Sequence, residues 1–348
     1  MGLFEEIGGW AGILSRLFSR EDLTRQEAAA AFDQIFGGET SPVHIAAFLS
    51  ALRVKGETVD EMSGFVEAMF ERGEPLEIEG DLIDTCGTGG DRSSSINVST
   101  MSALVVAGAG GKVCKHGNRA ATSQAGSADV LEALGVVIDL GPDGVKRCIE
   151  EVGMGFCFAP RFHPAMRHAG PVRKELGVPT VFNYLGPLAN PGRACHQVVG
   201  VSDPLMAPKM LGVMMSNGCR RAMVVHGSDG LDEFSTTGPS TVHELHLDGT
   251  VSVHSVDATD LGFDPVSMDD LRGGDAEQNA LVVREVLAGK AGPHRDIAVL
   301  NAAAGMVVGG LAPDLESGVA LAASVIDDGK AAAVLDHLSR VSQEAARS

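Results

Sequence analysis

The chain has 348 residues, with 27 Lys and Arg against 46 Asp and Glu, for a net charge of −19. That acidic excess excludes a protein built to coat nucleic acid or an anionic membrane. The 44% hydrophobic and 21% charged content is ordinary globular composition and excludes disorder for most of the chain.

The length predicts one large domain or two. No apolar run approaches the roughly 18–20 residues that a membrane span needs. Glu5 and Glu6 precede the first apolar stretch, where a signal peptide carries positive charge, and Glu6 also breaks the myristoylation pattern begun by Gly2. The six cysteines, Cys86, Cys114, Cys148, Cys157, Cys195 and Cys219, are scattered without a C-x-x-C pair. This suits a reducing cytosol and argues against a zinc ribbon. A cytoplasmic protein is expected.

Residues 1–78 read as a small helical domain. Thr24 with Glu27, and Thr58 with Glu61, form capping boxes, while Ser41 before Pro42 is an N-cap with proline at the first helical position. Gly37, Gly56 and Gly73 end the corresponding helices. The apolar faces of these helices must pack on the rest of the chain or on a second subunit.

From residue 79 to 348 the pattern predicts an α/β domain with a mostly parallel central sheet flanked by helices. Expected strands are Leu82–Asp84, Lys112–Cys114, Val136–Ile138, Phe156–Phe158, Val198–Val201 and Met223–Val225. Helices are expected over Ala128–Leu134, Val145–Val152 and Pro164–Leu176, with a hairpin turning at Asp248-Gly249 and helix again from Asp275.

Four motifs carry chemistry. The first is Asp84-Thr85-Cys86-Gly87-Thr88-Gly89-Gly90-Asp91, whose glycines let backbone N–H groups face an anion. It is followed by Asn97-Val98-Ser99-Thr100 at a helix start, a suitable place for phosphate. The plain alternative is an ordinary strand-to-helix turn. The second is the run from Lys115 to Ser123, with two cations, an imidazole, an amide and hydroxyls, readable as a solvated loop or as an oxyanion cradle. The third is Gly230-Leu231-Asp232-Glu233, whose adjacent carboxylates are surface residues or Mg²⁺ ligands. The fourth comprises Arg161-Phe162-His163-Pro164, Val172-Arg173-Lys174 and the segment 182–191. There Arg173 is either a helix-surface residue or a carboxylate clamp.

Taken together, GTGGD at 87–91, NVST at 97–100, KHGNRAATS at 115–123, GSADVLEALG at 126–135, FNYLGPLANP at 182–191, GLDE at 230–233 and GGDAEQNA at 273–280 resemble the anthranilate phosphoribosyltransferase family. The resemblance implies Mg-dependent transfer of the phosphoribosyl group of 5-phosphoribosyl pyrophosphate (PRPP) to the amine of anthranilate, the second step of tryptophan biosynthesis. It implies PRPP contacts at Gly87, Gly90, Asp91, Ser95, Asn97, Val98, Ser99, Thr100, Lys115, His116, Gly117, Asn118, Arg119, Ala120, Ala121, Thr122, Ser123 and Ser127. Anthranilate would meet Gly87, Asn118, Arg173 and His116, and two Mg²⁺ ions bound with PRPP would be held by Ser99, Asp232 and Glu233. It further implies a homodimer through the helical domain, with a helical segment near 164–190 packing on that domain. Arg92 is expected to face water.

Three competing readings differ in class. A pyrimidine nucleoside phosphorylase shares the architecture, but Asn118-Arg119 and GLDE speak against it. A nucleic-acid-binding paralogue would need a basic face, which −19 opposes. A transferase acting on another aromatic amine is barely separated by sequence.

Overall fold

The computed structural model describes residues 2–91, 93–120 and 124–347. Arg92, Ala121, Thr122 and Ser123, each given an expectation above, lie outside the described residues.

The N-terminal part is helical over Leu3–Glu6, Gly9–Phe18, Arg25–Phe36, Pro42–Lys55 and Val59–Arg72. Both capping boxes form: Thr24 and Glu27 exchange hydrogen bonds, as do Thr58 and Glu61. Phe32, Phe48 and Phe65 are fully buried at the centre, and the rings of Phe32 and Phe65 stack 4.0 Å apart. This core is not closed by residues 1–78 alone. Phe182 stacks on Phe32 at 5.1 Å, and Tyr184, Leu185, Met210, Leu211 and Val224 belong to the same apolar cluster. One face of the sheet thus completes the helical core.

Seven strands follow: β1 (Ile83–Gly87), β2 (Val113–Gly117), β3 (Met154–Phe158), β4 (His196–Gly200), β5 (Arg221–Gly227), β6 (Ser240–Leu245) and β7 (Val251–Val256). They lie in the order β3-β2-β1-β4-β5-β6-β7. The first five run parallel, and β6 and β7 add antiparallel, joined through the expected turn, where Gly249 adopts φ 83°. On the other face a second core gathers the helices Val98–Gly108, Pro293–Val308 and Lys330–Ala345. Among the described residues no helix is long and apolar enough to cross a membrane.

Two expectations are corrected. Val136–Ile138 is not a strand: Val136 and Ile138 are buried, but Val136 N–H returns to Leu131 O and Val137 N–H is taken by Ser342 Oγ. Apolar alternation there reports burial against the last helix rather than a ladder. Pro164–Leu176 is not one helix but a 3₁₀ turn, Pro164–His168, and a helix, Gly170–Leu176. Pro171 has no N–H to continue a helix and sits in the first turn of the second piece.

Candidate active site

The chain leaves β1 toward β2 on one side, while β4 flanks it on the other, so the strand order reverses at β1/β4. Clefts form outside the carboxyl ends of parallel strands at such a point, and here a cavity of about 910 Å³ opens. The turns after β1 and β2 line it, as do the start of the helix Val98–Gly108, the 230–233 loop, and the 159–187 segment that joins the two cores.

Two glycines let the acidic loop cross the sheet edge. A Cβ on Gly87 would stand 2.2 Å from Asp232 Oδ2, and one on Gly200 would stand 1.5 Å from Asp232 O. Any side chain at either place would displace Asp232. The carboxylates then take backbone donors: Gly89 N–H reaches Asp232 Oδ2 at 2.7 Å, and Ser99 N–H reaches Glu233 Oε1 at 3.2 Å. The helix start therefore does not present a row of free N–H groups. Val98 N–H bonds Ile96 O, and Thr100 N–H bonds Asn97 O.

Burial, reinforced by the neighbouring charge of Asp91, pushes Asp232 up to about 7. Glu233 is pushed well above the carboxylate range, first by burial and then by Asp232. Lys115 opposes this only in part: its Nζ is buried and donates to Thr85 O at 2.6 Å and Ser99 Oγ at 3.2 Å. Crowded carboxylates with a nearby hydroxyl are a hard oxygen donor set. Asp232, Glu233 and Ser99 fit a Mg²⁺ ion, which takes few carboxylates and completes its shell with water and phosphate.

The cradle after β2 splits. Lys115 points into the floor, whereas Arg119 lies at the rim, paired with Asp129 at 2.8 Å and Glu132 at 2.9 Å. Asp129 also accepts from Ala120 N–H and Gly126 N–H, which ties the loop across to the next helix, Ser127–Ala133.

The opposite wall carries different chemistry. His116 donates Nδ1–H to Gly186 O at 3.0 Å, which leaves Nε2 as an acceptor with no partner among the described residues. Burial, then His163, pulls His116 down to about 3, so its imidazole is neutral. The guanidinium of Arg173 lies 4.9 Å over the Phe182 ring, and burial alone draws it below its ordinary value.

Of the expected site residues, Gly87, Gly90, Asp91, Ser95, Asn97, Val98, Ser99, Lys115, His116, Gly117, Asn118, Arg119, Ala120, Ser127, Arg173, Asp232 and Glu233 all line this cavity. Thr100 does not. It is fully buried one position further round the helix, where about 100° of rotation per residue turns it into the protein. Missed from sequence were the lining residues Arg167 and, from the helical part, Met69, while Asn183 of the 182–191 motif lines the cavity without having been assigned a role. Asp84 and Asn190 were each singled out in a motif, but their pairing beneath the site was not foreseen: Asp84 accepts from His116 N–H and from Asn190 Nδ2 at 2.7 Å. An aspartate inside an apolar strand is the signal that could have found it, since a buried charge needs partners.

A family model described as "Glycosyl transferase family, helical bundle domain" matches residues 11–73, and "Glycosyl transferase family, a/b domain" matches residues 79–332. The chain is 51% identical over 333 residues to the anthranilate phosphoribosyltransferase of Arthrobacter sp. (strain FB24), covering 94% of each. It is 46% identical over 331 residues to that of Chloroflexus aggregans, covering 95% of this chain and 97% of the relative. Among solved structures, the anthranilate phosphoribosyltransferase of Thermus thermophilus superposes with a TM-score of 0.90 at 41% identity, over 95% of this chain and 99% of the other. The Saccharomyces cerevisiae protein in complex with PRPP and Mg gives a TM-score of 0.88 at 26% identity, over 96% and 98%. The chain belongs to the anthranilate phosphoribosyltransferases, the pentosyltransferases that move the phosphoribosyl group of PRPP onto the amine of anthranilate.

Proposed function

We propose that the two walls of this cavity divide that reaction between them, as the second step of tryptophan biosynthesis. The observation that supports it is their chemical asymmetry. One side gathers Lys115, the glycine-rich turn, a helix start and the acidic loop, suited to a phosphorylated, metal-binding substrate. The other holds a neutral acceptor, His116, and a largely buried cation, Arg173, stacked on a ring, suited to an aromatic acid.

PRPP is held by Gly87, Gly90, Asp91, Ser95, Asn97, Val98, Ser99 and the 115–123 loop with Ser127. Lys115 supplies a fixed positive charge, since its ammonium is locked by Thr85 O and Ser99 Oγ. Asp232, Glu233 and Ser99 hold Mg²⁺, two ions with PRPP, which when bound neutralise the departing pyrophosphate. Arg173 pairs with the anthranilate carboxylate, with Gly87 and Asn118 beside the ring. His116 Nε2 accepts an amine N–H and so orients the nitrogen lone pair toward ribose C1. The aromatic amine is neutral at pH 7 and needs no strong base. Positioning and charge stabilisation therefore carry the rate. Thr100 is not assigned a side-chain contact, because it is buried away from the cavity.

The same proposal covers the rest of the molecule. Residues 1–78 form the helical domain and pair two copies into a homodimer, residues 79–348 form the catalytic domain, and the enzyme works in the cytoplasm.

The test follows loss of anthranilate fluorescence with purified protein, PRPP and Mg²⁺, beside an EDTA control. Metal-dependent consumption is expected. Persistence of anthranilate while PRPP still binds would overturn the acceptor, and a panel of other aromatic amines would then find the right one.

A further inference from the structure

The opposite end of the sheet, at the N-terminal ends of β1 and β4, gathers a second group of ligand-type side chains. Asp81 lies two residues before β1, His196 opens β4 and Cys195 immediately precedes it. Pairing of Ile83 with His196 brings them together. One ligand atom from each lies within 4.8 Å of the others. Cys195 Sγ is 3.7 Å from Asp81 Oδ1, and His196 Nε2 is 3.8 Å from Asp81 Oδ2. Ligands around tetrahedral Zn²⁺, bonded at about 2.0 Å for N or O and about 2.3 Å for S, stand roughly 3.3–3.5 Å apart. Both measured contacts run to Asp81, one through each carboxylate oxygen, and exceed these ligand separations by a few tenths of an ångström.

The imidazole is already oriented. His196 Nδ1 lies 2.5 Å from Val308 O, so it carries the proton and donates it, leaving Nε2 with a lone pair directed at the group. A ligating histidine whose other nitrogen is fixed by a backbone carbonyl is the usual outer-shell arrangement. A cation is also already drawn in: the Arg220 guanidinium ion-pairs with Asp81 and comes within 3.0 Å of His196 Nε2. Its side chain is 52% exposed, so solvent can take it up once these two contacts break, and Asp81 at 60% gives an entry path.

We infer that Asp81, Cys195 and His196 bind a borderline divalent cation of the Zn²⁺ class, in exchange for Arg220. Thiolate and imidazole select such an ion over Mg²⁺, which keeps to oxygen ligands. The site lies at the far ends of the strands from the cavity, so it is separate from the acidic loop. Its consequence is stabilisation of the β1–β4 entry by mass action.

The test titrates Co²⁺, a spectroscopic substitute for Zn²⁺, into the full chain with Mg²⁺ in excess to occupy the cavity acids. A thiolate-to-Co²⁺ charge-transfer band is expected, displaced by Zn²⁺ and lost in Cys195→Ser, whose near-isosteric side chain preserves folding. Asp81→Asn should weaken binding on the order of tenfold or more, while Arg220→Ala should tighten it. Zn²⁺ should also raise the Tm of the wild type and leave that of Cys195→Ser unchanged. Absence of the band, or a band that persists in Cys195→Ser, would overturn the site.

Discussion

Two buried acidic sites in this molecule are built in opposite ways. In the helical part, Glu61 is fully buried, yet it accepts from Leu23 N–H at 3.0 Å, from Thr58 N–H at 2.9 Å and from Lys55 Nζ at 2.9 Å. Lys55 in turn bonds Asp22 at 2.7 Å, and although burial works against its charge, these partners hold it above its ordinary value. In the cavity, Asp232 and Glu233 are crowded against Asp91, with only partial compensation from the Gly89 N–H for Asp232 and from Lys115 for Glu233, and both are pushed upward. A buried charge with both oxygens hydrogen-bonded and a cation beside it holds the fold together. A buried charge left short of partners stores an electrostatic cost that a cation can relieve.

The contrast can be broken at either end. Glu61→Ala should cost about 3–5 kcal/mol of stability, toward the lower end because Lys55 keeps Asp22. Urea unfolding should show an earlier midpoint, while activity per folded molecule stays unchanged. Asp232→Asn with Glu233→Gln should do the reverse. Turnover should fall on the order of 10²–10³-fold, about 2.7–4 kcal/mol of barrier, with partial rescue by extra Mg²⁺, and Tm should hold or rise. Near-normal turnover without added metal would remove the metal assignment.

The cations sharpen the same comparison. Arg173→Ala should weaken anthranilate binding by about 1.5–3 kcal/mol, the range for a hydrogen bond to a charged group, and spare PRPP in calorimetry. Equal loss of both ligands would refute the clamp.

A pH series gives the next effect. Below about 7 Asp232 takes up a proton, so each further pH unit should lower Mg²⁺ affinity about tenfold. Stability of the metal-free protein should move the other way. The folded value lies above the unfolded value of about 3.9, so the folded state holds the extra proton between the two. Stability should therefore fall as pH rises from about 4 to about 7, which thermal unfolding across that window checks. The smallest effect belongs to Arg119→Ala. Its guanidinium is already paired at the exposed rim, so the KM for PRPP should change by less than about fivefold.

The sequence by itself determined what depends on near neighbours in the chain. Thr24 with Glu27, Thr58 with Glu61, and Ser41 before Pro42 close hydrogen bonds within three residues, so the helix starts were readable before any tertiary contact. The turns at Gly87–Asp91, Lys115–Ala120 and Gly230–Glu233 were readable as candidate ligand loops from their composition alone, and residues of all three line one cavity. Tertiary structure decided which loops meet and what their side chains face. Only the reversal of strand order at β1/β4 sets the acidic loop over Gly87 and Gly200, and pairing of β1 with β4 brings Asp81 to Cys195 and His196. Arg119 turned to Asp129 and Glu132, Thr100 turned inward, and Val136–Ile138 stayed outside the sheet because Ser342, 205 residues away, took its N–H. Each of those outcomes rests on a partner supplied by a different element, and local pattern carries no information about such a partner.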